Sequence, residues 1–273
     1  MHQTRPHLRA AVAAAAVTAS LVGLVAAGPL APAHAERTRV VSVQEDCHEV
    51  AIPRAVSTSG LRELVPERHT INTITATASR LWIITVTCQW VRVEPGSDRS
   101  PARRTTTYTL GAVPLTASDG VPTRDHYLLW WGTDNPEEAA KLRQLGLPIT
   151  FQPGTTSTVS EDGATNTLAF DLRGGGLDYR VDAVGNEPGT AVTTSEMRWV
   201  HDGPDGTVLV TAANRTRPAS TAVTTADFST LEPLIPILVS PVRPTNVPFT
   251  YFRGGWTMTA ELVDREPEGP PAS

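Results

Sequence analysis

The run from Leu81 to Val91 restricts this chain more than any other stretch, because its period is two. Trp82, Ile84, Val86, Cys88 and Trp90 make one continuous apolar face, while Leu81 and Ile83 alternate into Thr85, Thr87 and Gln89. A helix would scatter those positions; a strand puts them on one side. The pattern therefore predicts a long strand with one side in the core. It recurs over Thr105–Val113, with Tyr108, Leu110 and Ala112 on one face, and over Trp256–Leu262. Shorter β segments fit Arg39–Val43, Tyr127–Trp131, Pro148–Phe151 and Tyr179–Val184.

Turn chemistry predicts two hairpins. Arg198–Ala212 folds back at Asp202-Gly-Pro-Asp-Gly206, and Thr155–Leu172 folds back at Asp162-Gly163, where Gly and Asp accept turn conformations. Helix is sparse. Asn135 can cap, Pro136 starts a helix, and Glu137 and Glu138 suit its first turn. Ala139, Leu142 and Leu145 form an apolar stripe and Gly146 marks the stop, so one clear short helix is expected over about 135–146. Gly60–Val65 and Asp227–Leu231 fit short helical turns ahead of Pro66 and Pro233. The fold expected is mainly antiparallel β in a single domain over 36–265, with a disordered tail over 266–273.

The N-terminus reads as an export signal. Arg5 and Arg9 precede the apolar run Ala11–Gly28, and Ala33-His34-Ala35 is a small-x-small cleavage site. Cleavage after Ala35 predicts a secreted protein that keeps no membrane span. Removing residues 1–35 takes away two Arg and no acid, which moves the formal charge from −5 to −7. So acidic a chain lacks the basic footprint of a nucleic-acid or anionic-lipid binder. Cys47 and Cys88 are the only cysteines, and an even pair after an export signal predicts one disulfide. Its 41-position separation would stabilise the fold by roughly 4 kcal/mol on the chain-entropy estimate.

Catalytic signatures are missing. The sequence has no Gly-x-Ser-x-Gly, His-Glu-x-x-His, phosphate loop or dinucleotide fingerprint. His48, His69, His126 and His201 have no helical ligand spacing, so no metal site or cofactor is expected. Lys141 is the only lysine, so any Schiff-base chemistry would have to use it. Its neighbours Glu137, Glu138 and Arg143 read as a solvated helix face, with Glu137 placed for an i,i+4 ion pair.

Three stretches carry a resemblance. Leu61-Arg-Glu-Leu-Val-Pro-Glu67 resembles the opening helix of acetoacetate decarboxylase-like proteins. Tyr127–Pro136 and Trp199–Gly206 resemble uncharacterised secreted proteins of high-GC bacteria that share that shape. The resemblance covers about residues 40–262. It implies a bent antiparallel sheet, partly closed into a barrel or cone, or a sandwich, around an apolar cavity. It does not bring the decarboxylase chemistry, because Lys141 does not match a buried catalytic lysine.

The expected function is a secreted, non-catalytic β module that binds a small hydrophobic or amphipathic ligand. The alternatives are a secreted enzyme of unassigned reaction and a structural envelope or interaction protein without a pocket. Six Trp outnumber five Phe, and Trp130 and Trp131 must face opposite ways on a strand. The candidate ligand contacts are His126, Trp130, Trp131 and Trp199, together with Leu234 and Ile235. The last two belong to Leu231–Pro244, an apolar, proline-punctuated segment suited to closing one end of a sheet.

Overall fold

The structure, a computed structural model, describes residues 39–94, 106–117, 122–162, 167–174, 177–185, 192–231 and 250–263. The export signal, Leu234, Ile235 and the tail lie outside the described residues. The period-two runs become strands, longer than their sequence cores. They are β1 (Arg39–Ser57), β3 (Ala78–Glu94), β4 (Thr106–Thr116), β5 (Pro122–Thr133), β10 (Thr193–Gly203), β11 (Gly206–Leu231) and β12 (Thr250–Val263). Shorter strands are β2 (Thr70–Ile71), β6 (Ile149–Phe151), β7 (Thr156–Asp162), β8 (Thr167–Arg173) and β9 (Leu177–Gly185). The helices are α1 (Thr58–Arg62) and α2 (Pro136–Gln144).

Seven strands close a ring in the order β10, β5, β4, β3, β1, β12, β11, and β11 returns to β10. The closed sheet is a seven-stranded barrel with extra strands outside it. Its ladders are antiparallel except for the β5–β10 seam, where three residue pairs run parallel. The long β11 serves two sheets. Thr207–Ser220 pairs with β12 in the barrel, while Thr221–Leu231 pairs with β9. Asp227–Leu231 is therefore strand and not the helical turn expected from its sequence. There β9 supplies the backbone partners that a turn would have had to find locally.

Two cores result. The first gathers side chains from all seven ring strands and from α2, so it lies in the barrel lumen. The second lies on the outer wall, where α1, β2, β8 and β9 cover Val50, Ile52, Leu81, Ile83 and Val113. This explains why β3 is buried on both faces from Ile83 to Cys88, where the sequence predicted one. Trp90, at the end of the expected apolar face, is exposed.

Asn135 caps α2 as expected, accepting from the N–H groups of Glu137 and Glu138, and Gly146 leaves the helix at φ 91°. Ala139, Leu142 and Leu145 enter the lumen core and close that end of the barrel. Cys47 and Cys88 stand opposite each other on β1 and β3 and form the disulfide.

Candidate functional site

The lumen divides into levels that can be read from the ladder. Closing strands into a barrel ties their tilt to the register shift around the ring. From Glu49, two residues along β1 lead to Ala51 and across to Ile84; Trp82 then leads to Ala112, and Pro114 to His126. Continuing the β5–β10 register one residue beyond its ladder sets Arg124 beside Met197, after which Ser195 leads to Asn214, Thr216 to Gly254, and Phe252 back to Glu49. The circuit closes with a step of two per strand. Each strand thus contributes one inward-facing residue to the level of Glu49.

That level holds three polar groups among apolar and small ones. Glu49 is fully buried, and neither carboxyl oxygen has a hydrogen-bond partner among the described residues. Burial pushes its carboxyl well above the usual carboxylate range, which favours the neutral acid. Asn214 donates from Nδ2 to Ser195 Oγ at 3.5 Å, while its buried Oδ1 has no partner among the described residues. His126 places Nδ1 3.1 Å from the Arg124 carbonyl, which accepts from the Nδ1–H tautomer. Burial lowers its pKa and favours that neutral ring.

The next level toward α2 is a packed floor. The same stepping joins Trp199, Ala212, Trp256, Cys47, Val86, Leu110 and Leu128, and every one of these is buried. The indole Nε1–H of Trp199 has no acceptor there. On the other side of Glu49 the level reaches solvent: Arg124 and Ser195 are exposed, and Trp82, Pro114 and Phe252 are half-buried. The polar level thus stands one step below the more open end, on a tryptophan floor.

The closed end holds a second buried acid. Glu138 Oε1 accepts from Ser42 Oγ at 3.3 Å and Gln44 Nε2 at 3.4 Å, and its Oε2 accepts from Thr133 Oγ1 at 2.9 Å. Burial pushes its pKa up to about 7 against the pull of those hydrogen bonds. Lys141 lies outside this network. Its Nζ donates to the Val93 carbonyl at 3.1 Å and to Glu137 at 2.7 Å. The expected i,i+4 pair forms, but the side chain is only 20% exposed and not the freely solvated group expected from its neighbours.

The structure separates the sequence candidates. His126 shares the level of Glu49, and Trp199 belongs to the floor beneath it. Trp131 points into the lumen core nearer α2, opposite Leu110. Trp130 points the other way, into the outer-wall core, where it covers Gly111. Glu49 and Asn214 went unnoticed in the sequence. The available signal was parity: Glu49 shares a face with Cys47 and Ala51, so an acid there has to enter the core.

No family model and no curated protein matches the chain. Solved structures do. The enduracididine biosynthesis enzyme MppR complexed with pyruvate superposes with a TM-score of 0.51 at 12% identity, over 82% of this chain and 90% of that one. MppR complexed with the condensation product of pyruvate and imidazole 4-carboxaldehyde gives 0.50 at 11% identity, over 84% and 90%. Acetoacetate decarboxylase gives 0.49 at 14% identity, over 82% and 89%. The chain has an acetoacetate decarboxylase-like fold. At these identities the likeness extends to the fold alone. Within this acetoacetate decarboxylase-like barrel the residues must be read from their own chemistry. Its single lysine is held between Val93 and Glu137 and has no place on the level of Glu49.

Proposed function

We propose that this chain is an exported, non-catalytic barrel that binds a small amphipathic molecule on the lumen level of Glu49. The observation that carries the reading is Glu49 itself, fully buried with two unpartnered oxygens near the more open end. A buried polar group left unsatisfied costs about 1–3 kcal/mol, and a ligand that accepts its proton offsets that cost. Neutral Glu49 donates to a carbonyl or carboxylate oxygen, Asn214 Oδ1 accepts, and the walls made by Ile84, Ala112 and Met197 take an apolar body. The only lysine is engaged on α2, which favours binding over covalent amine chemistry. The Cys47–Cys88 disulfide is consistent with an oxidising compartment. No helix among the described residues is long and apolar enough to cross a membrane.

The test is a titration of folded protein with anilinonaphthalene sulfonate, an amphipathic fluorescent probe. Binding should saturate and alter tryptophan emission through Trp199 and Trp256. Glu49→Ala should weaken it about tenfold, while pyruvate, the ligand solved with MppR, should compete. If folded protein takes up no probe, the lumen is packing only and the structural alternative stands.

A further inference from the structure

A second site lies outside the lumen, on the outer wall where β1, β12 and β11 run side by side. A groove of about 710 Å³ opens there, a size ordinary for a small-molecule site. Its floor is bare for a reason visible in the register. Arg215 on β11 stands opposite Gly255 on β12. Gly255 in turn lies between the partners of Gln44 and Cys47, so it faces the bulge Glu45–Asp46 on β1. Asn214, Trp256 and Cys47 are buried, so alternation sends Arg215, Gly255 and the bulge outward.

Neighbouring strands are about 4.8 Å apart, so the backbones of Arg215 and of the bulge run roughly 10 Å apart, one on each side of Gly255. Gly255 cannot fill that gap, because an added Cβ would press to 3.1 Å from the Gln44 carbonyl oxygen. Glu45, Asp46 and Arg215 are exposed and line the groove, and none of their side chains has a hydrogen bond or ion pair among the described residues. Arg215 and the two acids make no ion pair with one another across Gly255. Asp46 also has φ 51°, the one positive value at a described non-glycine residue. Such strain tends to persist where the surrounding structure needs the conformation. Both acids of the bulge line the groove.

We propose that this groove binds a zwitterionic amino compound, an amino acid or dipeptide, with its ammonium at Glu45 and Asp46 and its carboxylate at Arg215. Arg215 offers a planar fork suited to a carboxylate. Val43, Val192 and Ala213 supply an apolar flank for a side chain. Exposed charge contacts are individually weak, so the expected affinity is in the millimolar range.

Amide chemical shifts of the full chain, titrated with L-leucine, test this. Gly254, Gly255 and Ala213 should shift saturably. L-leucinamide, which lacks the carboxylate, and N-acetyl-L-leucine, which lacks the ammonium, should each bind at least tenfold more weakly. Arg215→Ala should erase the advantage of leucine over leucinamide. The pair Glu45→Gln and Asp46→Asn should erase its advantage over N-acetyl-leucine. Absence of saturable shifts at these amides, or equal affinity for all three compounds, overturns the proposal. Loss of leucine binding in Glu49→Gln would place leucine in the lumen and overturn it equally, whereas unchanged binding separates the two sites.

Discussion

Glu49 and Glu138 place two acids in a lumen lined mainly by tryptophan, methionine and aliphatic side chains, and they meet that environment differently. Glu138 has three donors around it, whereas Glu49 has none. Both carboxyls have raised pKa values in the folded state, so the folded chain holds protons that the unfolded chain releases. Stability must therefore fall as pH rises from the ordinary carboxylate range. For Glu138 the fall runs from about pH 4.5 to about 7, and at roughly 1.4 kcal/mol per pKa unit it amounts to about 3 kcal/mol. For Glu49 it continues upward. Glu49→Gln removes the penalty, so its thermal midpoint should exceed that of the parent by more at pH 8 than at pH 4. An equal offset at both pH values would mean that Glu49 is ionised in the fold. These acids were only half legible in the sequence. Parity shows that Glu49 faces inward with Cys47, but which strands surround it depends on pairings remote in the chain.

At the level of elements, local chemistry and long-range pairing contribute unequally. The start of α2 is local: Asn135, Pro136 and two glutamates make the same helix N-terminus in the sequence and in the structure. The two hairpins are local too, because Gly203 and Gly206 close the β10–β11 ladder and the β7–β8 arms pair throughout. The Asp162-Gly163 turn itself lies partly outside the described residues. Asp227–Leu231 went the other way, since its short apolar pattern fits either a turn or a strand until β9 is placed beside it. Elements also meet through single side chains. Trp130 lies over Gly111 so closely that an added Cβ would fall inside its ring. Gly111→Ala should therefore expel the indole and destabilise the fold by about 1–3 kcal/mol in a denaturant titration. A neutral result would show that Trp130 moves freely in the outer-wall core.

Across the whole molecule, one seam differs from the others in the ring. The β1–β3 ladder extends from Val41 to Ser57 and carries the disulfide, whereas β5 and β10 meet over three residues, Asp125–Tyr127 against Arg198–Val200. Arg198 and Asp125 add a 3.3 Å ion pair there, half-exposed and so of small value. Local opening should begin where the ladder is shortest. Hydrogen exchange should release the β5–β10 amides well before those of β1 and β3, and uniform protection around the ring would contradict this. The division between chain and fold follows from the range of the interactions. Strand identity, the faces of β3, the cap of α2, the two hairpins and the pairing of the only two cysteines rest on contacts a few residues apart or on elimination, so they were readable in advance. The closure of seven strands, the burial of the second face of β3, and the meeting of Glu49, His126 and Asn214 on one level were not. They depend on register, and register is set by the tilt of a closed ring and by side chains that become neighbours only after it closes.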